Sequence, residues 1–116
     1  MSPLSSIDWR TPQTLAQAHG LPAACYTDAE LAARESSAVF ARSWQFVAHA
    51  AQLSQPGDHV VTEVAGTPLL LLRDDNGVLR ALHNVCRHRA GPLATANGCG
   101  LKQLRCQYHG WTYDLQ

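Results

Sequence analysis

Two arms, Cys86-Arg87-His88 and Cys106-Gln107-Tyr108-His109, each set one thiol and one imidazole within four residues of chain, and seventeen residues separate them. A chain built this way must fold so that two distant segments meet. From Asn84 onward periodicity is weak, and Gly91, Gly98, Gly100 and Gly110 punctuate the stretch, so the arms stand on loops. Function concentrates on loops that a stiff scaffold holds in place.

The scaffold is predicted upstream, from Trp44 to His83. WQFVAH reads as a first strand, Pro56-Gly57 as a turn and DHVVTEV as a second strand. Ala65-Gly66-Thr67 turns into PLLLLR, an apolar run suited to a buried strand. Asp74-Asp75-Asn76-Gly77 forms a hairpin loop, with Asn-Gly supplying positive φ, before VLRALH returns. Trp44 and Phe46 are expected to pack the first strand against the helices. Short strands with a turn every ten or so residues point to a small antiparallel sandwich or barrel.

Residues 1–43 read as a helical lead. Thr11-Pro12 is a helix start and Gly20 a stop. Thr27-Asp28-Ala29-Glu30 has the form of a capping box in which Thr27 and Glu30 satisfy each other's backbone donors. It launches an alanine-rich helix expected to reach Arg42. The fold class is therefore mainly β with a helical lead over 1–43, followed by a β and loop domain over 44–116.

Thiols beside imidazoles favour metal. A structural zinc ion would accept two of each in a tetrahedron, but zinc modules usually pair cysteines on one arm and histidines on the other. A two-iron, two-sulfide cluster explains mixed arms directly, because one iron takes two thiolates and the other two imidazoles. Two ferric ions, two sulfides, two thiolates and neutral imidazoles sum to zero charge, where four thiolates would leave a net negative site. The neutral site accepts an electron more readily. Cys86, His88, Cys106 and His109 are the expected ligands, serving both as metal and as cofactor-binding residues. Cys25 and Cys99 are left free, with Cys99 expected to be a small buried thiol. Trp111 and Tyr113, close behind a ligand, either shield the cluster or pack the core.

Charge supports an electron-accepting site. No acid falls between Asn76 and Tyr113, while Arg80, Arg87, Arg89, Lys102 and Arg105, five of the nine basic residues, do. Together they are expected to stabilise the reduced cluster and dock an acidic redox partner. The chain as a whole is neutral, which gives no global field for nucleic acid or a membrane surface. No apolar run approaches the roughly 20 residues of a membrane span, and MSPLSSIDWR lacks the pattern of a secretion signal. A cytoplasmic location is the default expectation.

NVCRHRAGPL followed by RCQYHGWTYDL resembles the Rieske domain of ring-hydroxylating and related non-haem iron oxygenase alpha subunits, loosely from about residue 26 to the end. The resemblance implies Cys86 and Cys106 on one iron, and His88 and His109 on the other. It implies a reductase or ferredoxin as electron donor, a homotrimer in the full-length protein, and onward transfer to a mononuclear non-haem Fe(II) in a separate catalytic domain. Hydroxylation, dihydroxylation or demethylation of a small organic substrate would follow there. The segment around Cys86 is also similar to alpha subunits acting on quaternary amines.

Two departures set respiratory Rieske proteins apart. At the positions of their loop-linking disulfide stand Gly91 and Tyr108, and their serine after the second His-Gly is replaced by Trp111. Fewer donors to the cluster sulfurs favour a lower potential. The resemblance further implies that closing strands and a catalytic domain would follow Gln116. The chain is thus expected to be an N-terminal piece of an oxygenase, truncated within its Rieske fold and not catalytically competent alone. It is also expected to aggregate or bind cluster weakly, through an exposed sheet edge. A stand-alone Rieske-type ferredoxin carrier is the alternative function.

Overall fold

A computed structural model describes residues 14–116, which fall into two compact units divided between Ser43 and Trp44. The predicted helix start at Thr11-Pro12 lies outside the described residues. In the first unit a 3-10 turn at Leu15–Gln17 precedes two α-helices, α1 (Ala24–Thr27) and α2 (Ala29–Ala38). The cap of α2 is Asp28, not Thr27: its carboxylate accepts the Leu31 N–H at 2.9 Å. Thr27 already has helical backbone as the last residue of α1, and its hydroxyl donates to the Ala23 carbonyl instead. An N-cap needs a non-helical backbone, which Asp28 has. Nor does α2 reach Arg42. It gives way at Val39 to a 3-10 turn, Phe40–Arg42, where serine hydroxyls and a β-branched residue weaken helical preference.

In the second unit residues 44–49 form no strand, contrary to the expectation for WQFVAH. They lead to a 3-10 turn, Ala50–Leu53, capped by His49: its Nδ1 accepts the Ala51 N–H, and Gln52 Oε1 accepts the His49 N–H. Trp44 and Phe46 are exposed, so neither packs as expected.

The scaffold proper is a three-stranded antiparallel sheet of β1 (His59–Val64), β2 (Thr67–Arg73) and β3 (Leu79–His83), in that order. Ala65 and Gly66, both with positive φ, make the tight β1–β2 turn. Between β2 and β3 the carboxylate of fully buried Asp74 accepts the N–H groups of Asn76 and Val78 and pairs with the Arg80 guanidinium at 2.8 Å. Of the Asn-Gly pair in that loop, only Gly77 has positive φ.

The apolar run of β2 is covered on both faces, as successive side chains point to opposite sides. Leu70 and Leu72 are fully buried on one face with Leu104 and Leu115, and Leu71 packs on the other with Leu53 and Val60. Leu104 opens a second small sheet, β4 (Leu104–Arg105) with β5 (Thr112–Tyr113). The segment between the arms is held to β1, since His59 and Gly98 exchange both backbone bonds and Asn97 Oδ1 accepts the Val61 N–H. Both loops that carry the arms are thus rooted in the core of the sheet. No helix among the described residues is long and apolar enough to cross a membrane.

Candidate metal centre

The two arms sit on loops closed in the same way. In the first, the Cys86 N–H donates to Gly91 O at 2.7 Å and the Ala90 N–H to Cys86 O at 2.9 Å. In the second, the Cys106 N–H donates to Trp111 O at 2.8 Å and the Gly110 N–H to Cys106 O at 2.9 Å. Ala90 and Gly110, the fifth residue of each, both have positive φ. Histidine occupies the third position of one loop and the fourth of the other.

This closure sorts the side chains. Cys86 and Cys106 turn inward and are 2% and 3% exposed, while His88 and His109 are exposed. The imidazole rings lie edge to face with centroids 4.6 Å apart. The structure thus brings the four sequence-predicted residues together as two pairs, the thiols buried and the imidazoles exposed. Both thiols are free, with no disulfide between them.

Several neighbours act on these groups. Tyr113 Oη lies 3.1 Å from Cys86 Sγ and accepts the Arg87 N–H at 3.1 Å. That bond, foremost, lowers the Cys86 pKa; burial works against it, and the backbone N–H groups of His88 and Arg89 and the Cys106 thiol add to the lowering. The same bond, with burial, raises the Tyr113 pKa. Both shifts favour the arrangement in which the phenol rather than the thiol keeps its proton, and the thiolate is the form that binds metal. Trp111 stacks on His88 at 4.9 Å with planes 4° apart, and Tyr108 leans on His109 at 3.9 Å. Trp111 and Tyr113 thus touch the arms rather than merely filling the core.

The backbone leaves room beside the sulfur. A Cβ on Gly91 would stand 3.4 Å from Cys106 Sγ and 3.7 Å from the Tyr108 Cβ. Two buried thiols, two adjoining imidazoles and a bare backbone between them fit the donor set of a two-iron cluster.

The five basic residues divide. Arg80 is taken up by Asp74 inside the hairpin, contrary to the docking role expected of it. Arg87, Arg89, Lys102 and Arg105 are exposed, and the Arg105 guanidinium lies over Gly110, where an added Cβ would meet it at 3.6 Å. Cys99 is exposed rather than buried. Sequence reasoning named Tyr113 as a shield or a core residue but not as a partner of Cys86, and it missed Asn84. The Tyr113 contact spans 27 residues. The side chain of Asn84 ties the start of the first loop to Leu93 and Ala94. An asparagine two residues before a cysteine in a loop was the only hint of the latter.

A family model for the Rieske [2Fe–2S] domain matches residues 43–116, more than half of the chain. The carnitine monooxygenase oxygenase subunit of Acinetobacter baumannii is 38% identical over 94 residues, covering 81% of this chain and 25% of that protein. Among solved structures, a quaternary ammonium Rieske monooxygenase studied for carnitine oxidation by gut microbiota and inter-subunit electron transfer superposes with a TM-score of 0.74. It is 38% identical, and the match covers 79% of this chain and 25% of that one. Naphthalene 1,2-dioxygenase from a Rhodococcus species gives a TM-score of 0.76 at 34% identity, covering 82% and 22% respectively. The chain spans about a quarter of the length of the curated relatives it matches. With the motif, the fold and the family model in agreement, the chain belongs to the Rieske [2Fe–2S] domain family, whose cofactor is a two-iron, two-sulfide cluster.

Proposed function

We propose that Cys86, His88, Cys106 and His109 hold the cluster, and that the chain is the electron-accepting domain of a Rieske oxygenase. The observation that carries this is the sorting of the arms: two buried sulfurs, with two exposed imidazoles 4.6 Å apart above them. A single zinc ion would need all four donors around one centre. Among the described residues no three His, Cys, Asp or Glu side chains converge to hold one ion. Donors split two and two suit a binuclear centre.

Bound there, the cluster supplies one-electron storage at a potential above that of plant-type ferredoxins. The chain's own residues do the rest. The Tyr113 hydroxyl stands at hydrogen-bond distance from the Cys86 sulfur, where its hydrogen would serve as donor to a bound thiolate, and Trp111 covers one face of His88. Arg87, Arg89, Lys102 and Arg105 present positive charge around the arms to an acidic reductase or ferredoxin. In the whole protein, read as a homotrimer, the cluster held by these four residues would supply electrons for hydroxylation or demethylation of a quaternary-amine or aromatic substrate at a mononuclear iron outside this chain.

Iron and sulfide analysis with paramagnetic resonance of the reduced chain tests the ligand set. Two irons, two sulfides and nitrogen couplings from two imidazoles are expected; one zinc per chain would end the reading. Electron delivery from an acidic donor should slow as salt rises, because exposed charges are screened over about 10 Å at 0.1 M. Oxygen-dependent conversion of carnitine, glycine betaine or an arene by the protein carrying this chain tests the oxygenase assignment. Electron uptake without turnover would identify a free carrier.

A further inference from the structure

The second loop has a stem of paired strands. Leu104 pairs with Tyr113 and Arg105 with Thr112, so the chain enters and leaves the loop on a backbone ladder. The first loop has no such stem: no strand pairing joins its two ends among the described residues.

Asn84 stands where the ladder would begin. Its backbone N–H donates to Pro68 O at 2.9 Å, which fixes it to the start of β2. Its side chain, only 5% exposed, reaches across to the returning strand of the loop. Nδ2 donates to Ala94 O at 2.7 Å, and Oδ1 accepts the N–H groups of Ala94 and Leu93, both at 3.0 Å. The two bonds to Ala94 reproduce the reciprocal N–H to carbonyl exchange of an antiparallel pair. A carboxamide is the side chain that offers a peptide group's donor and acceptor together.

We infer that Asn84 is a positioning residue: its carboxamide substitutes for the missing strand pair and holds the first loop, with Cys86 and His88, in register against the second. The inference rests on the ligand set proposed above. Asn84 touches none of the four ligands, so it acts through the backbone between residues 84 and 94. This side chain ties the entering and returning ends of the first loop to each other, whereas the second loop shares that load among ladder bonds.

The test uses the full chain loaded with cluster and three variants. Asn84→Ala removes all three bonds. Asn84→Asp keeps both acceptor bonds and sets an oxygen against Ala94 O. Arg80→Ala loosens the hairpin of the same unit without touching either loop. Loss of visible absorbance to a chelator, nitrogen couplings in the reduced state and melting temperature are measured for each. Asn84→Ala is expected to release cluster at least tenfold faster than the parent and to shift the couplings, with Asn84→Asp intermediate. Arg80→Ala should release it at the parental rate despite a lower melting temperature. If Asn84→Ala does not fold, Asn84→Asp carries the comparison. Release within twofold of the parent in the Asn84 variants, or equally fast release from Arg80→Ala, would overturn the inference. A parent chain that holds no two-iron cluster would instead overturn the ligand set beneath it.

Discussion

The phenol oxygen of Tyr113 stands between the sulfur of Cys86 and the backbone nitrogen of Arg87, 3.1 Å from each. The Arg87 N–H can only donate, so the phenol's own hydrogen is free to point at the sulfur. A hydrogen bond to a cluster sulfur draws off negative charge and favours the reduced state. Tyr113→Phe keeps the ring and removes the donor. The midpoint potential of the loaded chain should fall by up to roughly 60 mV, a tenfold change in the one-electron equilibrium. An unchanged value in a potentiometric titration would remove Tyr113 from the redox machinery.

Gly91 and Tyr108 face each other across the two loops, with a Cβ–Cβ separation of 3.7 Å once a Cβ is added to Gly91. Disulfides span about 3.5–4.5 Å between Cβ atoms. The double variant Gly91→Cys, Tyr108→Cys should therefore close a loop-linking bridge of the kind respiratory relatives carry. Closing a loop of this length adds on the order of 3 kcal/mol to stability. Thiol counting and peptide mapping, before and after reduction, would show whether the bridge forms.

Asp74 provides a pH dependence that involves no cluster. Burial pushes its pKa up, but the Val78 N–H, the Arg80 side chain and the Asn76 N–H outweigh that and hold the carboxyl below its ordinary value. A carboxylate depressed in the folded state contributes stability above its unfolded pKa of about 3.9, and that contribution disappears as pH falls through the folded value. Melting temperature should thus drop steeply below about pH 4. Asp74→Asn should melt lower at neutral pH and show a flatter acid limb; parallel curves for the two proteins would contradict the assignment.

Ala65 holds φ of 50° at the first position of the β1–β2 turn, a conformation that costs an L-residue with a Cβ roughly 1–2 kcal/mol. Asparagine tolerates it better. Ala65→Asn should stabilise the chain by about 0.5–1 kcal/mol. Urea unfolding gives the difference, and a loss of stability would mean the turn is not the strained form described.

What could be read beforehand was what neighbours in sequence determine. The arms, the Gly66 and Gly77 turns and the leucine run of β2 each announce themselves within a few residues. The misreadings arose where several local options compete. Thr27 and Asp28 are both good caps, and only the prior helical turn decides between them. Trp44 and Phe46 look like core by composition, yet nothing in the sequence says which aromatics a small sheet has room to cover. The bonds from Tyr113 to Cys86 and from Asn84 to Ala94 were hidden for a different reason. They depend on how two loops fold over one another, which no spacing rule encodes.

Leu104 and Leu115 lie in the same oily seam as Leu70 and Leu72, so the loop module has no interior of its own. It cannot melt by itself and leave the sheet standing. Truncating Leu70 or Leu72 would empty part of that seam and be felt as slack around the cysteines. Fading colour would then serve as a gauge of the seam's integrity.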